Sequence, residues 1–460
     1  MNVVQLDDRR LEILLSAEET HFLDLKAKEV SYKKLTKSIV AFANSDGGEI
    51  YVGIREIDKA RLIRVWEGYQ RIEDANSHLQ ELNKYFPLGA GFSYTFLEHT
   101  KQNGFVLKIE VEKSTKVLRN EDNEIFIRLG AASVPQTTQE QITRLEYNKG
   151  IISFEDERVN CEPLEIENST TIIKFAFSIV PEMEPSVWLR KQRMIVQDKP
   201  TVAGVMLFCD EPQVHLPKTA IKIYRYRGSD GEGHRDNLAF DPITVEGCSY
   251  DLIYSAVSEV RKIIEDINVV TEAGLEKVTY PSVALHEIIT NSVLHRDYSL
   301  SDDVHIRIFD DRVEIESPGK LPAHITEKNI LHERFLRNGK LVRLINKFKN
   351  PPNKDVGEGL NTSFQAMRDL KLREPIIQQR ENSVLVTLKH EKLGSAEQII
   401  SDYLRDNDEI NNAIARKLCN IGDANKMAGI FKKMSRAGIV ESIPGRAQVK
   451  TGYRKGPNFR

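Results

Sequence analysis

The 460-residue chain is predicted to be a multidomain α+β protein, and three observations carry that prediction. The length is enough for roughly two to four domains, each with its own core. Apolar residues make 40% and charged residues 29%, the ordinary balance of a soluble globular protein. Within one stretch, Tyr280 to Gly319, the hydrophobic period changes from three-to-four residues to two, which places a helix directly before a hairpin.

Charge and cysteine usage exclude several classes. The formal net charge is -3, so no global basic field points to a nucleic-acid partner, and any such surface is local. Cys161, Cys209, Cys248 and Cys419 lie far apart, with no close metal-ligand pair, and fit a reducing interior better than a disulfide framework. Met1 leads into a polar start, and no run of 18 apolar residues occurs, so a cytoplasmic protein without a membrane partner is expected.

The first domain is expected over residues 8–148. Leu11, Ile13, Leu14 and Leu15 open a short apolar element. Leu23 and Leu25 alternate with Phe22, Asp24 and Lys26 as in a strand. Ser31 is placed to cap a helix whose inward residues are Leu35, Ile39, Val40 and Phe42. Asp46-Gly47-Gly48 forms a turn into a buried strand, GEIYVGI. FVLKIEVE and EIFIRLGAAS read as further strands, and a helical segment near Thr137 to Leu145 closes the unit.

Two groups here could carry chemistry. Glu19, Asp24 and Glu56 are either solvated acids near strand ends or a convergent set able to hold Mg²⁺ or Mn²⁺ for phosphodiester cleavage. Lys26, Lys28, Lys33, Lys34 and Lys37, joined by Arg128, are either a salt-laced surface or a patch that positions phosphates without reading bases. The pattern E-x-x-x-x-D-L-K, then AFANSDGGEIYVGI, then IFIRLGAAS resembles the AlbA-like domain of bacterial Schlafen-type proteins over the first third of the chain. That resemblance implies nucleic-acid binding, with Glu19, Asp24 and Glu56 at the positions of the family's acidic trio. Asp24 replaces the more usual Glu, one methylene longer.

Residues 149–239 read as a linker and α/β bridging region. Phe154 to Asn168 is charged and contains Pro163. TIIKFAFSI is expected to be a strand, Trp188 to Val196 a helical turn, TVAGVMLFC a strongly apolar segment and PKTAIKIYRYRG an alternating strand. The Gly231 and Gly233 loop lacks the strand-to-helix setting of a dinucleotide fingerprint.

A central domain is expected over 240–390. An amphipathic helix covers about 249–268, and a second opens at Pro281 with Ala284, Leu285, Ile288, Ile289 and Val293 as its apolar stripe. Glu287 and Asn291, four apart, share one face of that helix, either as a solvated pair or as holders of a hydrated metal ion. His295-Arg296-Asp297 matches the catalytic tripeptide of protein kinases but lacks the partner Asn, the metal loop and the glycine-rich lid, so that reading is discarded. HEIITNSVLHRDYS resembles the N-box of divergent GHKL ATPase-like domains, which fold as an α/β sandwich. The resemblance implies that Glu287 activates water and Asn291 coordinates Mg²⁺ beside ATP or ADP. VEIESPGKLP resembles the next nucleotide loop; Ser317 stands where the family has an Asp that pairs with adenine, Gly319 keeps one flexible position, and Glu316 or an ordered water is the candidate substitute for the acid. Gly357 and Gly359 precede a helix and would let backbone N–H groups approach phosphates. Arg337 is either a phosphate contact or a surface pair.

Residues 394–460 resemble a winged helix-turn-helix, a DNA-binding shape. From Lys432 onward eight Lys/Arg face the single Glu441, a formal +7. Lys432, Lys433, Arg436, Arg446 and Lys450 are its candidate DNA contacts. The composite expectation is a nucleotide-responsive nucleic-acid-binding regulator, with weak ATP hydrolysis and, by analogy with GHKL relatives, a homodimer. The alternatives are a metal-dependent Schlafen-like endonuclease acting on RNA or DNA, and a scaffold with no chemistry.

Overall fold

The computed structural model describes residues 3–58, 63–86, 91–179, 181–228, 235–271, 274–278, 280–352, 359–390, 396–419, 421, 423–443 and 452–459. Three main hydrophobic cores organise it, and each collects residues from one part of the chain.

The N-terminal core lies between the helix Tyr32–Asn44 and a five-stranded sheet. The strand order is Val3–Gln5, Phe92–Glu98, Val106–Val111, Gly48–Val52 and Leu23–Lys26. Leu35, Ile39 and Phe42 are fully buried at helical spacing and meet Ile50, Val52 and Ile109 of the sheet. Gly48 is required at the turn, because a Cβ there would collide with the Phe42 ring. A hairpin, Ile125–Leu129 with Ala132–Gln136, covers the helix's other side. The helix Gln139–Lys149 closes the unit, opened by Thr138 and Gln141 in a reciprocal capping box. Ser31 occupies the N-cap position of its helix but makes no side-chain cap bond.

The bridging region and the central region share a single core running from Val159 to Leu388. Their common six-stranded sheet has the order Ile243–Val245, Ile221–Arg225, Val304–Ile308, Arg312–Pro318, Ser383–Lys389, Ile376–Gln379. Only the Ile221–Arg225 and Val304–Ile308 pair is parallel. The expected edge at residue 239 is therefore crossed by sheet hydrogen bonds and by packing. Helices Ser249–Glu265 and Ser282–Leu294 pack on each other and over this sheet.

TIIKFAFSI is not a strand. It forms the helix Thr170–Ile179, with Ile172, Phe175 and Ala176 buried while Ile173 and Phe177 stay exposed. Its β-branched and aromatic residues favour a strand, but a three-and-four spacing fits one face to the core. Asp210 accepts from the Thr170 and Thr171 N–H groups at 2.8 and 3.1 Å, closing the helix start. TVAGVMLFC is likewise helical over Val202–Phe208, capped by Thr201 and buried all round. The helical turn expected near Trp188 is the helix Pro185–Lys191.

The C-terminal unit has helices Ala396–Asp406, Asn412–Leu418 and Ala424–Arg436 beside a three-stranded sheet of Ile410–Asn411, Gly452–Lys455 and Val440–Ser442. Ile400, Leu404, Phe431 and Val440 form its core. Among the described residues no helix is long and apolar enough to cross a membrane.

Candidate nucleotide cavity and its surroundings

The helix Ser282–Leu294 buries Ala284, Leu285, Ile288, Ile289 and Val293 and thereby turns Glu287 and Asn291 toward a cavity of about 340 Å³. That volume is in the range of small-molecule sites. Pro281 is the N-cap of this helix, one place before its first turn. Asn291 Nδ2 donates to Glu287 Oε1 at 2.9 Å, so the pair is locked one helical turn apart. Burial pushes the Glu287 carboxyl up, against the Asn291 hydrogen bond and His286, which pull it down.

Four further elements complete the wall. Ser317 and Gly319 come from the end of Arg312–Pro318, Gly359 and Leu360 from the start of the helix Gly359–Asp369, and Ile377, Val384 and Val386 from the two outer strands. The cavity thus has a polar end at Glu287 and Asn291 and an apolar wall that includes Ile315, Ile325 and Ile330. Gly319 has φ +108, and a Cβ there would stand 2.6 Å from the Asp297 Cβ. Both backbone sign and space demand glycine. Gly357 lies outside the described residues.

Ser317 Oγ donates to the Ser292 carbonyl at 2.8 Å, which ties the strand to the catalytic-candidate helix. Glu316 does not replace the missing acid. Strand alternation sends it to the opposite face, where Arg307, Arg380 and Ser383 hold it at 2.6, 3.1 and 2.6 Å. Burial opposes its ionisation, but these three partners pull its carboxyl down to about 2.

Arg337 does not line the cavity. It lies behind the wall, buried, with Nη1 3.2 Å from Asp297 Oδ2 and Nη2 donating to the Lys320 carbonyl at 2.6 Å. Asp297 also pairs with Arg144 at 2.9 Å, an arginine of the N-terminal unit's closing helix. Burial raises the Asp297 carboxyl, but the Arg337 and Arg144 guanidiniums and Ser299 outweigh it and hold it below the usual range. His295-Arg296-Asp297 is thus a structural joint. Arg296 is buried and donates to the Lys218 and Asp302 carbonyls at 2.8 and 2.6 Å.

In the N-terminal unit Glu19 and Asp24 come together, but around an ammonium. Lys26 Nζ is 2.6 Å from Asp24 Oδ1 and 3.6 Å from Glu19 Oε1. Ser38 Oγ donates to the other Asp24 oxygen at 2.6 Å, and Arg128 stands 3.6 Å away. Burial opposes the Asp24 charge, but Lys26 and Ser38 outweigh it; Glu19 is pushed up by burial and by its acidic neighbour. Glu56 sits on the hairpin Ile54–Asp58 and Ile63–Trp66, paired with Arg64 at 3.2 Å.

Among the described residues, the set of three His, Cys or acidic donors lying within 4.8 Å of one another is Cys161, Glu165 and His215, not the N-terminal trio. Cys161 is buried, and His215 Nε2 lies 2.7 Å from Glu165 Oε2. Fifty residues separate Glu165 from His215, so no local spacing advertised this potential metal-coordinating cluster.

The lysines spread rather than form one patch. Lys33 pairs with Asp122 at 2.8 Å, Lys28 lies 3.9 Å from Glu29, Lys37 rests over the Phe126 ring, and Lys34 is exposed. Lys432, Lys433 and Arg436 are exposed on the third C-terminal helix, with Lys433 3.0 Å from Glu397. Arg446 and Lys450 lie outside the described residues.

Two family profiles match parts of the chain. Residues 19–137 match the family described as Schlafen, AlbA_2, and residues 301–388 match "Putative ATP-dependent DNA helicase recG C-terminal", an HATPase_c profile. The chain therefore carries an AlbA/Schlafen-like N-terminal domain and a distinct HATPase_c-like domain. The second match takes in Ser317, Gly319, Arg337 and Gly359 and begins after Glu287 and Asn291. The crystal structure of the DIP2311 protein from Corynebacterium diphtheriae is similar over 97% of this chain and 96% of its own, at 17% identity and a TM-score of 0.43. No curated protein matches the chain.

Proposed function

We propose that the protein is a nucleotide-responsive nucleic-acid-binding regulator whose nucleotide enters the Glu287 cavity. The observation that carries this reading is convergence: Glu287, Asn291, Ser317, Gly319 and Gly359, from three separate elements, line one cavity. Asn291 spends an N–H on Glu287, which leaves its amide oxygen as a hard ligand of the kind Mg²⁺ takes. Mg²⁺ would there neutralise phosphate charge, while the start of the Gly359 helix offers N–H groups to the phosphates. Glu287, its carboxyl raised by burial, is the group suited to take a proton from water in a weak hydrolysis.

The C-terminal helix–strand–helix–helix–strand–strand order supports a winged-helix module, with the exposed Lys432, Lys433 and Arg436 facing nucleic acid. For the N-terminal unit, Lys26 between Glu19 and Asp24 favours binding over metal-dependent cleavage. Calorimetry with ATP and with ADP, Mg²⁺ present, tests the reading. Wild type should bind, and Asn291→Ala should bind at least about tenfold more weakly. No heat with either nucleotide would remove it. Nuclease assays with Mg²⁺ or Mn²⁺ should show no cleavage above an Asp24→Ala control.

A further inference from the structure

A second cavity, about 120 Å³, lies between the N-terminal unit and the loop that follows Arg312–Pro318. That volume has room for one tetrahedral anion. Lys113, Arg128, Arg144, Lys149 and Lys320 line it, and Asp46 is the one carboxylate among the lining residues. That carboxylate is already engaged by His21 at 2.9 Å and Lys113 at 3.1 Å. Arg144 is taken by Asp297, and Lys149 donates to the Ala43 and Ser114 carbonyls at 2.7 and 2.6 Å.

Lys320 is half-buried, and among the described residues its ammonium has no hydrogen-bond or ion-pair partner. The cations also press on one another. Burial lowers the Lys113 ammonium, and Lys320 and Arg337 lower it further against the pull of Asp46. Lys149 is pushed down to about 7 by burial and then by Lys113. Crowded, desolvated cations that outnumber their carboxylates are held together at a cost that a counter-anion removes.

We propose that this interdomain cavity binds one phosphate-class oxyanion, supplied either as free phosphate or as a backbone phosphate of nucleic acid. Lys113, Lys149 and Lys320 give three lysine amines from three separate segments, while Arg128, spent on the Thr20 and Leu23 carbonyls, and Arg144, spent on Asp297, add positive charge around them. Lys320 and Leu321 line both cavities, and Lys113 donates to the Leu321 carbonyl at 2.8 Å. An anion that draws Lys113 toward itself therefore acts on the wall of the larger cavity. The site does not depend on a nucleotide occupying that larger cavity.

The test is calorimetric titration of the full chain with inorganic phosphate at constant ionic strength, with sodium chloride as the control. One site per chain is expected, weakened about tenfold or more in Lys320→Met, whose side chain holds nothing else in place. Lys113→Gln, checked for folding by circular dichroism, should weaken it as well. Competition by a single-stranded oligonucleotide assigns the anion to a nucleic-acid backbone, and phosphate binding that the oligonucleotide leaves intact assigns it to free phosphate. No phosphate binding, equal displacement by chloride, or unchanged affinity in a folded Lys320→Met protein would each overturn the proposal.

Discussion

Gly359 and Glu287 touch so closely that no side chain fits between them: a Cβ on Gly359 would run into the Glu287 carboxylate. The obstacle is the far end of a flexible side chain, so Gly359→Ala should keep the fold and instead swing Glu287 away from Asn291. Nucleotide affinity should fall about tenfold while the urea midpoint moves little. Calorimetry on the variant, set beside its unfolding curve, separates the two effects. A variant binding nucleotide as wild type does would mean that the Glu287–Asn291 pair is not part of the site.

Glu316 tests the strand-face assignment. Glu316→Gln should leave nucleotide affinity unchanged, since the side chain faces Arg307 and Arg380 rather than the cavity. Its folded carboxyl is depressed to about 2 from an ordinary 4.5. The unfolded chain therefore binds the proton first as pH falls, and the stabilising contribution is complete above about 4.5 and lost as pH drops toward 2. The stability gap between wild type and variant should be widest near neutrality and shrink across that window, as read from denaturant unfolding at several pH values.

The Arg144–Asp297–Arg337 joint holds the N-terminal unit against the cavity loop. Asp297→Ala leaves the Arg337 guanidinium buried without its carboxylate, a loss of about 3–5 kcal/mol in chemical unfolding. Replacing Arg144, which is partly exposed, should cost clearly less.

The C-terminal cations give a salt signature. Replacing Lys432, Lys433 and Arg436 together with Ala should weaken duplex DNA binding on all sequences alike. The slope of log K against log salt should fall by about 0.9 for each phosphate contact removed. Fluorescence anisotropy across a salt series measures it. An unchanged slope would move the DNA surface off this helix.

Local pattern made several elements legible. The helix Ser282–Leu294 and the two strands after it were readable because one apolar stripe at three-and-four spacing gives way to strict alternation. Glu287 and Asn291 were readable for the same reason, since four residues along a helix fixes a shared face. Thr170–Ile179 was not, because its β-branched composition and its helical spacing disagree, and only packing against Trp188 and Phe208 selects between them. Glu316 and Ser317 are neighbours in sequence and opposites in space, so which of them faces the cavity follows from the sheet.

The sequence alone determined the multidomain α+β character, the Glu287–Asn291 face and the C-terminal excess of positive charge, all properties of composition or short-range spacing. Tertiary structure decided what meets across long separations. It set Lys26 between Glu19 and Asp24, gathered Cys161, Glu165 and His215, paired Arg337 with Asp297, and brought Lys320 beside Lys113. The physical reason is one of range. Periodicity encodes which face of an element is apolar, whereas charge neutralisation and cavity shape depend on elements that come together only when the cores close.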